Sequence, residues 1–156
     1  MIIRAARRDE LDHLGIFYHD IWHETQAPFQ NPGIVEFRDL AFMQQQMLGF
    51  FPDTLIASED NCTLGFVVAH DDRLSQLFVS PDARGKSLGK QLLEIAETKL
   101  IAEGTRRATL FCLKGNDRAR SFYERHGWTF SKDLSKQGDT PTGQAEIKAW
   151  ELAREL

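Results

Sequence analysis

Between Arg73 and Ile101 the apolar residues change period. Arg73–Val79, "RLSQLFV", is an apolar-rich run of strand length. From Leu88 onward Leu92, Leu93, Ala96, Leu100 and Ile101 recur at helical spacing, with Lys90, Glu94, Glu97 and Glu103 outside the stripe. Gly104 stands where a helix C-cap is expected, and "RATLFCL" (Arg107–Leu113) reads as the next strand. Strand, amphipathic helix and strand in succession make a βαβ unit, which requires a sheet with the helix on one face.

The flanking segments set what kind of sheet this is. "IIRAA" (Ile2–Ala6) reads as a short strand, and a helix follows from Asp9, with Leu11, Leu14, Tyr18, Ile21 and Trp22 near helical spacing. "APFQNPG" breaks it, and a second helix is expected from about Val35 to Leu48. "DTLIASE" and "CTLGFVVAH" read as strands, and Asp71-Asp72 is a tight turn into Arg73–Val79, an antiparallel hairpin. "NDRARSFYERHG" is a short helix, with Asn116 or Asp117 as N-cap and Gly127 as its stop. "WTFSKD" and "AEIKAWEL" close the chain as a hairpin around a Gly/Pro-rich loop at 135–144. The expected fold is α/β (α+β): a mixed, mostly antiparallel sheet flanked by helices, in the order β-α-α-β-β-β-α-β-α-β-β. With 156 residues, no repeat and no linker, residues 1–156 are expected to form one domain.

Charge and cysteine usage narrow the partners. The net charge of −4 argues against nucleic acid. Residues 1–72 carry four basic and twelve acidic side chains, and residues 73–156 carry fifteen basic and eleven acidic. An anionic ligand therefore suits the second half and a cationic or neutral one the first. No apolar run reaches membrane-spanning length, and "MIIRAARRDELDHL" lacks the apolar block of an export signal. Cys62 and Cys112 are too few for a disulfide framework, lack metal-ligand spacing and are both expected to be buried in strands. A cytoplasmic location is expected.

The turn from Arg84 to Gly89 offers unpaired helix N-terminal N–H groups, glycines that let a phosphate approach, and the charges of Arg84 and Lys86. Gly85-Lys86-Ser87 ends like a nucleotide-binding P-loop. That pattern fails, because Ser80 stands where its first glycine belongs, the preceding strand sits in a hairpin and no Walker-B aspartate follows.

The stretches "LFVSPDARGKSLGKQLLE" and "NDRARSFYERHGW" together resemble the GNAT superfamily of acyl-CoA-dependent N-acyltransferases. The family's loop pattern [QR]-x-x-G-x-[GA], after a strand ending V-x-P, is met by Val79, Pro81, Arg84 and Gly89, with Ser87 in place of the first glycine. Its second motif is met by Asn116, Ala119, Phe122, Tyr123, Glu124, Arg125, Gly127 and Trp128. The resemblance implies an acetyl-CoA-dependent N-acetyltransferase that moves an acetyl group to a primary amine of a small molecule or peptide in a ternary complex. The alternative is a regulatory module that binds acyl-CoA without turnover.

The resemblance also assigns residues. Arg84, Gly85, Lys86, Ser87, Leu88, Gly89 and Lys90 would hold the pyrophosphate of coenzyme A. The exposed edge of Leu77, Phe78 and Val79 would pair with the pantetheine arm where two strands splay. Val79 N–H would steady the thioester oxygen, Asn116 and Phe122 would contact the cofactor, and Tyr123 would protonate the leaving sulfur. The acceptor would lie against Tyr18, Trp22, His23 and Phe29 on one side and the 135–144 loop on the other. No carboxylate marks a base; His70, Asp71, Asp72 and Glu24 are the candidates. His19 and His23 have i, i+4 spacing but no evident third ligand, so no metal is expected.

Overall fold

The computed structural model describes residues 1–156. Its strands are β1 (Ile2–Ala5), β2 (Thr54–Glu59), β3 (Cys62–His70), β4 (Arg73–Val79), β5 (Arg107–Leu113), β6 (Thr129–Thr140) and β7 (Gly143–Glu155). Its helices are α1 (Leu11–Thr25), α2 (Pro32–Phe37), α3 (Leu40–Phe50), α4 (Leu88–Ala102) and α5 (Asp117–Arg125). The seven strands form one sheet in the order β1-β2-β3-β4-β5-β7-β6, antiparallel except between β4 and β5. The mixed, mostly antiparallel sheet is the architecture expected from the sequence. No helix is long and apolar enough to cross a membrane.

Each face of the sheet carries its own core. On one side Leu88, Leu92, Leu93, Ala96 and Leu100 of α4 pack on Ala57, Val67, Leu110 and Leu152, with Trp128 sealing the end of α5. On the other, Leu14, Tyr18, Ile21 and Trp22 of α1 and Met43 and Met47 of α3 cover Ile56, Phe66, Val68 and Phe78. Tyr18 meets Phe66 and Phe78 at ring separations of 5.9 and 5.5 Å, within the range where aromatic pairs add to area burial.

Four expectations are corrected. The expected helix over Val35–Leu48 is two helices: Arg38 leaves helical geometry (φ −85, ψ 59), and the Asp39 side chain accepts from Phe42 N at 2.9 Å to cap α3. The 135–144 loop is paired strand, with β6 and β7 in continuous register from Ser135↔Lys148 to Thr140↔Gly143. Gly138 within it serves close packing, since a Cβ there would lie 2.6 Å from Ile147 and 3.1 Å from Ile34. Cys62 is exposed, because β3 begins at the hairpin end; Cys112 is buried as expected. Glu97, expected outside the α4 stripe, is buried, accepting from Trp128 Nε1 at 3.2 Å and Arg154 Nη1 at 2.9 Å.

The feature that positions the site is the parting of β4 from β5. The two are paired only at Arg73↔Thr109, at the start of β4. Ser75 is an extra residue against β3, since Val68 faces Gln76 and Ala69 faces Leu74. Such a bulge bends its strand and strengthens the local twist. Beyond it Ser80 N–H donates to Leu64 O at 2.8 Å. Alternation along the strand then turns the backbone groups of Leu77 and Val79 toward the gap.

Candidate active site

A cleft of ≈ 690 Å³ opens where β4 parts from β5, between the C-terminal end of α1, the loop entering α4, and α5. It lies within the range of small-molecule and cofactor sites. Leu77, Phe78, Val79, Arg84, Gly85, Ser87, Leu88, Gly89, Lys90, Asn116, Phe122 and Tyr123 all line it, so residues some forty positions apart meet there. Lys86, also expected to hold the cofactor, does not line the cleft; its side chain is exposed on the loop.

The loop explains itself through its backbone. Gly85 and Ser87 both hold left-handed conformations, with φ of +79 and +62. A non-glycine residue pays for that geometry, which is why glycine suits the place of Ser87 in the family pattern. The Ser87 side chain makes no capping bond to α4. None of the backbone N–H groups from Gly85 to Lys90 makes a close hydrogen bond within the chain. These open donors stand at the positive end of a 15-residue helix, an arrangement that selects an anion.

Arg84 lines the cleft, and its guanidinium already has a partner within the chain. Its guanidinium grips both carboxylate oxygens of Glu24, at 2.6 and 3.0 Å, across the mouth of the cleft. Those hydrogen bonds hold the Glu24 carboxyl below the usual carboxylate range, so Glu24 is a poor base. The other base candidates lie elsewhere: His70, Asp71 and Asp72 form the β3–β4 turn, about 16 Å of strand from Leu77. Asp72 there accepts from Thr105 Oγ1 at 2.7 Å.

Asn116 is the N-cap of α5, accepting from Ala119 N at 3.2 Å, and lines the cleft as well. Tyr123 lies two turns further along α5, against Phe122 and Trp128. Burial, then the neighbouring Cys112, pushes its phenol pKa up. Its hydroxyl forms no hydrogen bond within the chain and is not sealed from the cavities. Burial also raises the Cys112 thiol to about 11, which keeps that sulfur neutral.

A second cavity of ≈ 160 Å³ adjoins the cleft on the α1 side of the sheet. Tyr123, Leu77, Phe78 and Gln26 line both. Of the four residues expected to meet an acceptor, Tyr18 and Trp22 line this smaller cavity, Phe29 lines the larger cleft and His23 lines neither. The His23 ring is held by the Arg38 carbonyl at 2.6 Å and packs on His19 at 4.3 Å. No three His, Cys, Asp or Glu side chains converge anywhere. The sequence reading missed Arg38 and Lys136, which line the small cavity. It also expected a cationic or neutral ligand here from the acidic first half; the charges facing the cavity are these two cations.

Residues 16–128 match the model of the Acetyltransferase (GNAT) family. Comparison with curated protein sequences finds no match. Among solved structures, a GCN5-related N-acetyltransferase from Rhodopseudomonas palustris aligns with a TM-score of 0.80 at 17% identity, covering 99% of this chain and 95% of that one. PaiA N-acetyltransferase from Thermoplasma acidophilum, in complex with coenzyme A, gives 0.70 at 20% identity over 99% and 98% of the two chains. YncA from Salmonella typhimurium, with its cofactor acetyl-CoA, gives 0.69 at 19% identity over 100% and 94%. At these identities the likeness is one of fold.

Proposed function

Because the chain belongs to the acetyltransferase (GNAT) family, we propose that it transfers the acetyl group of acetyl-CoA to a primary amine of a small molecule or peptide, with both bound at once. The observation that carries this reading is the run of unpaired N–H groups from Gly85 to Lys90 beside the open edge of Leu77 and Val79. The first suits a pyrophosphate and the second an extended amide-bearing arm. Lys90, Arg118 and Arg125 around the same cleft add positive charge. When bound, acetyl-CoA supplies an activated acyl carbon on a sulfur leaving group.

The chain's own residues have three tasks. Val79 N–H faces the gap and donates to the thioester oxygen as charge gathers there, a contribution of the oxyanion-hole kind. Tyr123 gives its proton to the departing sulfur; burial makes the phenol a weaker acid, and the same dry surroundings disfavour the bare thiolate that it protonates. The acceptor must arrive neutral, and an alkylamine in water is so for only about one part in two thousand at pH 7. No carboxylate lines the small cavity; instead Arg38 and Lys136 disfavour an incoming ammonium and lower its pKa. In balance, the acyl C–S bond breaks as the C–N bond forms, the amine loses a proton and the thiolate gains one.

The reading includes a single domain over residues 1–156 and a cytoplasmic location, supported by the exposed free thiol of Cys62. The absence of a carboxylate base favours a second reading, a module that binds acyl-CoA without turnover. Two measurements decide. Gly89→Val places a branched Cβ 3.3 Å from the Phe122 ring inside the cleft, and calorimetry should show acetyl-CoA affinity reduced about tenfold or more, 1.4 kcal/mol. Thiol release from acetyl-CoA with an amine panel establishes turnover. Unchanged affinity in the variant would sink the assigned cofactor path, and binding without thiol release would leave only the module.

A further inference from the structure

The small cavity gathers positive charge without an internal partner. Arg38 and Lys136 are its charged lining residues. The Arg38 guanidinium lies over Trp22 at 5.0 Å and Phe42 at 5.2 Å, and its side-chain hydrogen bond is a long one of 3.5 Å to Gln46 Oε1. The Lys136 ammonium lies 5.0 Å from the Phe111 ring centre, and Arg73 lies 4.0 Å from the same centre. None of the three cations pairs with a carboxylate, although most other basic side chains around the fold do, as Arg84 does with Glu24 and Lys114 with Asp133. Desolvation of the Lys136 ammonium, then repulsion from Arg38 and Arg73, lowers its pKa. In a chain of net charge −4, the two cations that face this cavity, with Arg73 beside Lys136, weaken the folded state unless an anion joins them.

Resting on the acetyl-transfer reading above, we infer that the acceptor is an amine carrying its own carboxylate, a molecule of amino-acid type. The carboxylate lies between Arg38 and Lys136, where a planar guanidinium fork matches its two oxygens. Trp22, Phe111 and Ile147 receive the apolar part. The amine is directed toward Tyr123, which stands where this cavity meets the cofactor cleft. The volume of ≈ 160 Å³ suits a small molecule rather than a folded protein segment.

The test is a panel of α-, β- and γ-amino acids, each beside its matched carboxamide and decarboxylated amine, assayed for thiol release at saturating acetyl-CoA. Carboxylates are expected to lead their amides in kcat/KM by about 10- to 100-fold, the worth of a charge-assisted hydrogen bond. Arg38→Gln and, separately, Lys136→Gln should collapse that ratio toward one, mainly through KM. Preference for amines without an anion, or a ratio untouched by both variants, would overturn the inference. Calorimetric titration of the same panel onto the chain loaded with coenzyme A separates this inference from the reading beneath it. Carboxylate-selective binding without thiol release would end the acetyl-transfer reading and keep the cationic site, whereas turnover of uncharged amines alone would do the reverse.

Discussion

Arg84 and Glu24, sixty positions apart, close on each other in a two-pronged ion pair across the mouth of the cleft, with distances of 2.6 and 3.0 Å. The pair ties the end of α1 to the loop that enters α4, and it engages the one cation of that loop that lines the cleft.

If Arg84 is shared between Glu24 and the cofactor, the carboxylate competes with the phosphates. A partly exposed pair of this kind is worth about 1 kcal/mol or less. Glu24→Gln should therefore leave stability nearly unchanged and tighten acetyl-CoA binding, by up to about fivefold at low salt. Weaker binding in calorimetry would show instead that Glu24 positions Arg84 for the phosphate.

Ser87 holds φ +62 with no capping bond in return. Ser87→Gly relieves the left-handed strain, worth about 1 kcal/mol, against the extra freedom it gives the unfolded chain. A small rise in Tm is expected, with acetyl-CoA affinity kept because the N–H donors stay in place. A fall in Tm would mean that the serine side chain contributes something its geometry does not display.

Glu97 joins three elements by accepting from Trp128 Nε1 and from Arg154, which also donates to the His126 carbonyl at 2.7 Å. Glu97→Ala strands the indole N–H and leaves Arg154 without its carboxylate. Chemical denaturation should show a loss of about 2 kcal/mol, with activity reduced only as far as the end of α5 loosens. Wild-type stability in this variant would remove the network from the account of how α5 is held.

Most of the residues that line the cleft were legible because their geometry is local. The strand end at Val79, the turn from Arg84 to Gly89 and the run from Asn116 to Trp128 each carry their geometry in a few adjacent residues. The break at Arg38 was written there too, in an aspartate placed to cap α3, but the apolar stripe continues across it and hides the boundary. Gly138 and Pro141 read as loop signals, although Gly138 exists to let Ile34 and Ile147 approach. Arg38, Arg73 and Lys136 could not be assembled from sequence at all. They come from separate elements, one of them in the acidic half, and the charge of a half-chain says nothing of which way its side chains face.

Tyr123→Phe keeps the ring against Phe122 and Trp128 and removes only the hydroxyl. Since that hydroxyl has no partner within the chain, its loss leaves no buried group stranded, and stability should hardly change. If the phenol is the acid, kcat should fall by roughly 10²–10⁴ with acetyl-CoA affinity kept. The pH profile adds a second check. Burial raises the phenol pKa, so the donor keeps its proton through and beyond the ordinary tyrosine range. For the wild type, kcat/KM should climb with pH as the acceptor amine loses its proton and should show no falling limb from Tyr123 below about pH 10. The variant should keep the rising limb at a lower plateau, because the amine titration is untouched. Equal plateaus, measured with chemistry shown to limit the rate, would remove Tyr123 from proton transfer and leave it as a wall between the two cavities.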